Sequence, residues 1–156
     1  MNFAAQTLDK ASKSGVMIAT AESCTGGMVA AALTEIPGSS RVVDRGFVTY
    51  SNAAKTQMIG VDAALIAAHG AVSEPVAVAM AEGALANSDA GIAVSITGLA
   101  GPGGSNHKPE GRVCFGLAQI DQATHFETIE FGVLGRENVR IGARDHALQL
   151  LLRHLP

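Results

Sequence analysis

Residues 16–34, VMIATAESCTGGMVAAALT, constrain the fold more than any other stretch of the chain. The apolar run VMIAT reads as a buried strand, TGG as a tight turn, and MVAAALTEI, stopped by PGSS, as a few turns of helix. A strand that passes into a helix within so few residues is the building block of sheets covered by helices, and it leaves backbone amides unsatisfied at the helix start.

The alternation continues along the chain. Phe3, Ala4, Leu8 and Ala11 lie at helical spacing, with Gly15 as the stop. RVVDRGFVTYS has the β-branched and aromatic content of a strand, and NAAKTQMIG fits a short helix capped by Asn52, with helix continuing through DAALIAAHG. In SEPVAVAMAEGALANSDAG, Ser73 is placed as N-cap with Glu74 and Pro75 in the first turn, and residues 87–91 end the helix. IAVSIT is a strand with Ile92, Val94 and Ile96 on one face and Ser95 and Thr97 on the other. After the glycine-rich GLAGPGGSNHKPEG, the runs RVCFGLAQI and THFETIEF form a hairpin joined by residues 121–123, and RENVRIGARDHALQLLLRHL closes the chain as a helix. The expected fold is α/β, one domain over residues 1–156, with a mixed sheet flanked by helices. A chain of 156 residues that is 47% hydrophobic and 16% charged can bury the core this requires.

Several classes are disfavoured. A net charge of −3, no basic run and 4% aromatic residues offer neither an electrostatic track nor a stacking platform for nucleic acid. No apolar run approaches the length of a membrane span and the first residues do not pattern as a secretion signal, so a cytoplasmic protein with no membrane partner is expected. Cys24 and Cys114 lack CxxC spacing, and the five histidines lack metal-ligand spacing, so neither a metal nor another cofactor is expected.

Chemistry centres on Ser23. A hydroxyl at a strand-to-helix turn lies beside amides that can receive negative charge, the arrangement an attacking serine needs for its oxyanion. Gly26 and Gly27 let a ligand approach the backbone. The competing reading is that Ser23 or Thr25 only caps the helix. Cys24 is an alternative nucleophile without a Cys–His signature to support it. The chain has neither a G-x-S-x-G elbow nor S-x-x-K, since Gly26 stands where that lysine would be, so the base must come from elsewhere. Lys55 can serve only if burial or a cationic neighbour lowers its pKa from about 10.4; otherwise it is a solvated lysine, and Tyr50 a strand-end ring. SITGLAGPGG can cradle an anion or be a plain loop. Arg136, Arg140 and Arg144, four apart, are either a phosphate clamp or an exposed stripe paired with Glu137 or Asp145.

Taken in order, TAESCTGG, RGFVTYSNAAKTQMIGV, HGAVSEPVAVAMAEGAL and SITGLAGPGG resemble the CinA C-terminal domain family from about Leu8 to the last helix. That family includes nicotinamide-nucleotide amidases. The resemblance implies a three-layer α/β/α sandwich that hydrolyses nicotinamide mononucleotide to nicotinic acid mononucleotide and ammonia. It implies Ser23 as nucleophile, Tyr50 and Lys55 as aids to proton transfer, Thr97 as a further hydroxyl, and Arg136 or Arg140 as the phosphate contact. Cys24, Thr25, Gly26, Gly27 and Gly98 would line the substrate. The family often joins this domain to one resembling molybdopterin-binding proteins, of which these residues show nothing, and no residue supports the DNA link its name suggests. A non-catalytic nucleotide-binding module is the rival function, and a homodimer is expected on base rates.

Overall fold

Large and small side chains alternate along the strands, and this alternation fixes how closely each layer of helices approaches the sheet. The computed structural model describes residues 2–105 and 107–156; Met1 and Asn106, the latter within the glycine-rich segment, lie outside the described residues. Strands β1 (Ile18–Glu22), β2 (Val43–Val48), β3 (Ile92–Gly98), β4 (Arg112–Gln119) and β5 (His125–Glu130) form one sheet in the order β2-β1-β3-β4-β5. β1 is parallel to β2 and β3, whereas β3–β4 and the expected β4–β5 hairpin are antiparallel. Helices α1 (Phe3–Ser14), α2 (Met28–Thr34) and α6 (Arg136–His154) cover one face, and α3 (Asn52–Ile59), α4 (Ala63–His69) and α5 (Glu74–Ala86) the other. The architecture is the single-domain, three-layer α/β/α sandwich expected.

Ile18, Ile92, Val94, Ile96, Val113, Phe115 and Leu117 point toward α1, α2 and α6 and form the larger core with Leu148, Leu150 and Leu151 of α6. Burying each such side chain contributes about 1.5–3 kcal/mol. The alternate positions are small: Ala19, Ala21 and Ala93 belong to the second core, and Ser95 is paired with Gly116 across β3–β4. α5 therefore lies tight on the sheet. Ser95 Oγ donates to the Ala77 carbonyl at 2.6 Å, and a Cβ on Gly116 would stand 2.4 Å from that same oxygen.

Three local expectations are corrected. β1 runs over Ile18–Glu22 rather than residues 16–20, which carries Glu22 to the end of a buried strand. The cap of α3 is Ser51, whose Oγ accepts from the Ala54 amide at 3.0 Å, while Asn52 is the first helical residue. α2 starts at Met28 as expected but ends at Thr34 rather than at Ile36, with Gly27 at φ 109° as its N-terminal cap and no side-chain cap from that residue.

Chain exits from β1 and β3 diverge. β1 leads through α2 to β2 at one edge, and β3 leads through residues 99–111 to β4 on its other side. In open α/β sheets the carboxyl ends of strands at such a divergence border the ligand crevice. Ser23 directly follows β1, and its amide donates to Ile96 of β3 at 3.0 Å. Among the described residues, no helix is long and apolar enough to cross a membrane.

The close approach of α5 generates a stability prediction. Gly116→Val should lower the free energy of unfolding by about 1–3 kcal/mol, because the sheet and the Ala77 carbonyl cannot part without breaking the Ser95 bond. Urea unfolding monitored by far-ultraviolet circular dichroism measures it, and an unchanged midpoint would contradict the packing described.

Candidate active site

The ESCTGG turn is held from both sides by charges. Glu22 is 1% exposed, and its carboxylate turns back under α2. Oε1 accepts from Thr25 Oγ1 at 2.6 Å and from the Val29 amide at 2.9 Å, and Oε2 accepts from the Ala30 amide at 3.1 Å. Glu22 thus supplies the negative charge that a helix N-terminus favours, so α2 is capped neither by Ser23 nor by Thr25. On the opposite side, Arg140 Nε donates to the Cys24 carbonyl at 3.0 Å and its terminal nitrogen to the Thr25 carbonyl at 3.5 Å. The turn closes with the Gly26 amide on the Ser23 carbonyl at 3.0 Å. Among the described residues, the Cys24 and Thr25 amides have no protein acceptor.

Ser23 lies against Lys55, which comes from the other side of the crevice. Lys55 Nζ stands 3.2 Å from Ser23 Oγ, 3.0 Å from the Thr49 carbonyl and 3.2 Å from the Tyr50 carbonyl. The Ser23 hydroxyl also lies 3.4 Å from the Tyr50 carbonyl. Lys55 is 1% exposed and takes part in no ion pair among the described residues. Burial holds its pKa below the usual lysine value, and negative charge on the neighbouring Cys24 sulfur would act in the other direction. As an amine, it can direct two N–H bonds to the carbonyls and its lone pair to Ser23. The solvated-lysine reading is therefore overturned by burial. Cys24 is pushed up to about 11 by its own burial, which keeps it a thiol at neutral pH and unsuited to attack.

The remaining site residues separate into those that face the cavity and those behind it. A cavity of about 370 Å³ is lined by Ser23, Cys24, Tyr50, Lys55, Thr97, Gly98 and Arg136, among others. The Tyr50 ring is exposed and its hydroxyl accepts from Arg136 at 3.2 Å, so the dyad is touched by the Tyr50 carbonyl rather than its phenol. Arg136 also donates to the Gly101 carbonyl at 2.7 Å. Thr97, fully buried on β3, gives its proton to the Ala71 carbonyl at 2.8 Å. Thr25, Gly26, Gly27 and Arg140 do not line this cavity; Thr25 and Arg140 are spent in fixing the turn. Of the two arginines proposed for phosphate, Arg136 is the one that faces the cavity. Arg144 pairs instead with Asp145 at 2.9 Å.

Two features escaped the sequence reading. Glu22 gave a usable signal, since an acidic residue at the end of an apolar strand must find donors when buried. The glycine-rich segment is a folded strap rather than a plain loop: Glu110 accepts from the Gly103 amide, Ser105 and Lys108 pair, and Lys108 Nζ is bound to the His69 and Val72 carbonyls. Three histidines lie on β5 and α6, away from the site. His125 and His146 each contact Glu127 at 2.7 Å, and His154 stacks on His125.

The sequence and fold have close counterparts. The family model for the CinA C-terminal domain matches residues 1–155. A CinA-like protein of Mycolicibacterium gilvum is 54% identical over 142 residues, which cover 90% of this chain and 33% of that protein; the chain thus spans about a third of the length of the curated relatives it matches. Among solved structures, the competence/damage inducible protein CihA of Agrobacterium tumefaciens is 43% identical with a TM-score of 0.92, covering 98% of this chain and 95% of that one. The competence damage-inducible protein A of Klebsiella pneumoniae is 36% identical with a TM-score of 0.93, covering 98% and 94%. With a match over nearly every residue and a superimposable fold, this chain belongs to the CinA C-terminal domain family.

Proposed function

We propose that the chain is a serine amidohydrolase that removes the carboxamide nitrogen of nicotinamide mononucleotide, leaving nicotinic acid mononucleotide and ammonia. The observation that carries this reading is the buried Lys55 amine, 3.2 Å from Ser23 Oγ and without a carboxylate partner among the described residues. Such an amine accepts the serine proton as Oγ attacks the amide carbon and returns it to the departing nitrogen. The unpartnered Cys24 amide, next in the chain after the nucleophile and on the cavity lining, is the donor available to the oxyanion. Water then cleaves the acyl-enzyme by the reverse proton route.

The substrate's charges fit this arrangement. Its pyridinium ring is cationic, and burial disfavours the charged form of Lys55, which lessens the repulsion between them; binding of the cation would depress the Lys55 pKa further. Arg136, at the cavity rim with its guanidinium on Gly101 and Tyr50, is the anchor for the phosphate.

Four outcomes test the reading through ammonia release from nicotinamide mononucleotide. Ser23→Ala should lose about 10³-fold or more in kcat with the fold intact by circular dichroism; turnover at the wild-type rate would exclude Ser23 as nucleophile. Because the folded site disfavours the charged form of Lys55, kcat/KM should rise with pH along a limb whose midpoint lies below the ordinary lysine value of 10.5, as the ammonium gives up its proton. Lys55→Arg keeps a cation there at every accessible pH and should cost about 10²–10⁴-fold, with that limb abolished. Arg136→Ala should raise KM for the mononucleotide by about tenfold or more and leave KM for the unphosphorylated riboside unchanged.

A further inference from the structure

The deamidation reading leaves a larger cavity without a role. It measures about 810 Å³ and shares Asn52, Ala71, Val72 and Leu99 with the smaller one at Ser23. Arg136 lines only the smaller cavity and Lys108 only the larger, so the two adjoining cavities each carry a cationic side chain. An amide attacked by Ser23 carries an acyl group on one side and an amine on the other. With the acyl half drawn toward Arg136, the amine faces the shared wall. Ammonia needs no such room.

The larger lobe is built to receive an anion. Lys108 Nζ donates to the His69 carbonyl at 2.7 Å and to the Val72 carbonyl, and a Cβ on Gly70 would stand 2.8 Å from that nitrogen, so glycine at position 70 makes the seat for the ammonium. An ammonium has three donors, and among the described residues the third has no acceptor. The contrast with Lys55 is direct, because that nitrogen has polar partners on three sides. At the junction of the lobes, the Asn52 carboxamide makes no side-chain hydrogen bond among the described residues and can meet an amide N–H. Ala53, Ile66 and Ala67 supply an apolar wall between.

Building on the amidohydrolase reading, we propose that the larger lobe is a leaving-amine site, and that the protein also hydrolyses secondary amides whose amine carries a carboxylate, as an amino acid does. Ser23 Oγ bonds to the acyl carbon, the C–N bond breaks, and the proton that Lys55 took from Ser23 passes to the departing nitrogen. The amino acid leaves with its carboxylate at Lys108. Water then opens the acyl ester and restores Ser23, so that one amide and one water give one carboxylic acid and one amine.

Three synthetic mononucleotides test this: the unsubstituted carboxamide, the carboxamide carrying glycine on its nitrogen, and its uncharged propyl counterpart. The wild type should hydrolyse the glycine derivative with kcat/KM about tenfold or more above the propyl derivative, and Lys108→Ala should bring that ratio to about one. Because the readout is a ratio within each protein, general damage from loosening the strap cancels. A ratio near one in the wild type, or one that survives Lys108→Ala, overturns the proposal. Ammonia from the unsubstituted amide with no cleavage of the glycine derivative overturns the leaving-amine site and leaves the deamidase reading standing. Cleavage of the glycine derivative without ammonia release does the reverse, and turnover of none overturns both.

Discussion

The site depends on a lysine nitrogen buried without a carboxylate. Taking an ammonium out of water costs several kcal/mol unless it is paired, and the chain relieves that cost with the carbonyls of Thr49 and Tyr50 instead of a negative charge. The difference decides the chemistry. A carboxylate against Lys55 would hold it protonated, whereas neutral carbonyl dipoles orient the nitrogen and leave the amine form accessible. A buried acidic residue does lie nearby in sequence, since Glu22 precedes the nucleophile. Its carboxylate is committed to Thr25 and two α2 amides, which keeps the two buried groups apart. Capping of α2 and reactivity of Ser23 are therefore one design problem: the residue that satisfies the helix is removed from competition for the lysine.

A similar division applies to the last helix. Arg136 and Arg140 are one turn apart on α6, yet Arg140 grips the Cys24 and Thr25 carbonyls behind the nucleophile while Arg136 faces the cavity. Because α6 is locked to the sheet by Val139, Ala143, Ala147, Leu148, Leu150 and Leu151, all buried in the main core, both arginines are placed by packing far from the chemistry. The nucleophile turn is then fixed by two contributors remote in sequence, β3 through Ile96 and α6 through Arg140, and by a local one, Glu22 bound to the first amides of α2.

Much of this was legible in the sequence where periodicity and turn residues agree. Ser73 before Glu74 and Pro75 announced α5, and Ile92, Val94 and Ile96 alternating with Ser95 and Thr97 announced β3 and both its faces. Boundaries shifted where a side chain acted at a distance. Glu22 looks like a turn residue, but the donors of α2 draw it into β1, and Ser51 displaces Asn52 as cap because its hydroxyl reaches the Ala54 amide. Ser23 and Lys55 were visible as candidates; their proximity was implied by the family resemblance alone, since 32 residues separate them and burial, the property that changes Lys55, has no local signature. The roles of Arg136 and Arg140 could not be told apart for the same reason: spacing by four gives a shared side of the helix, not what each side chain meets.

The two faces of the sheet do different work at the crevice. On the bulky face, large aliphatic side chains hold α6 and α2 at ordinary packing distance, and only long side chains such as Arg140 reach the turn from there. On the opposite face, Ala93, Ser95 and Gly116 let α5 settle onto the strands, and the segment leading into it follows. That brings the Ala71 carbonyl to 2.8 Å from Thr97 Oγ1 and places Ala71 and Val72 in the wall between the two cavities. Enlarging a side chain on this face would lift α5 and move that wall even though the altered residue touches no ligand. The small residues of β3 and β4 thus define the width of the crevice as much as the stability of the sheet, and the partition between the lobes is a consequence of core packing.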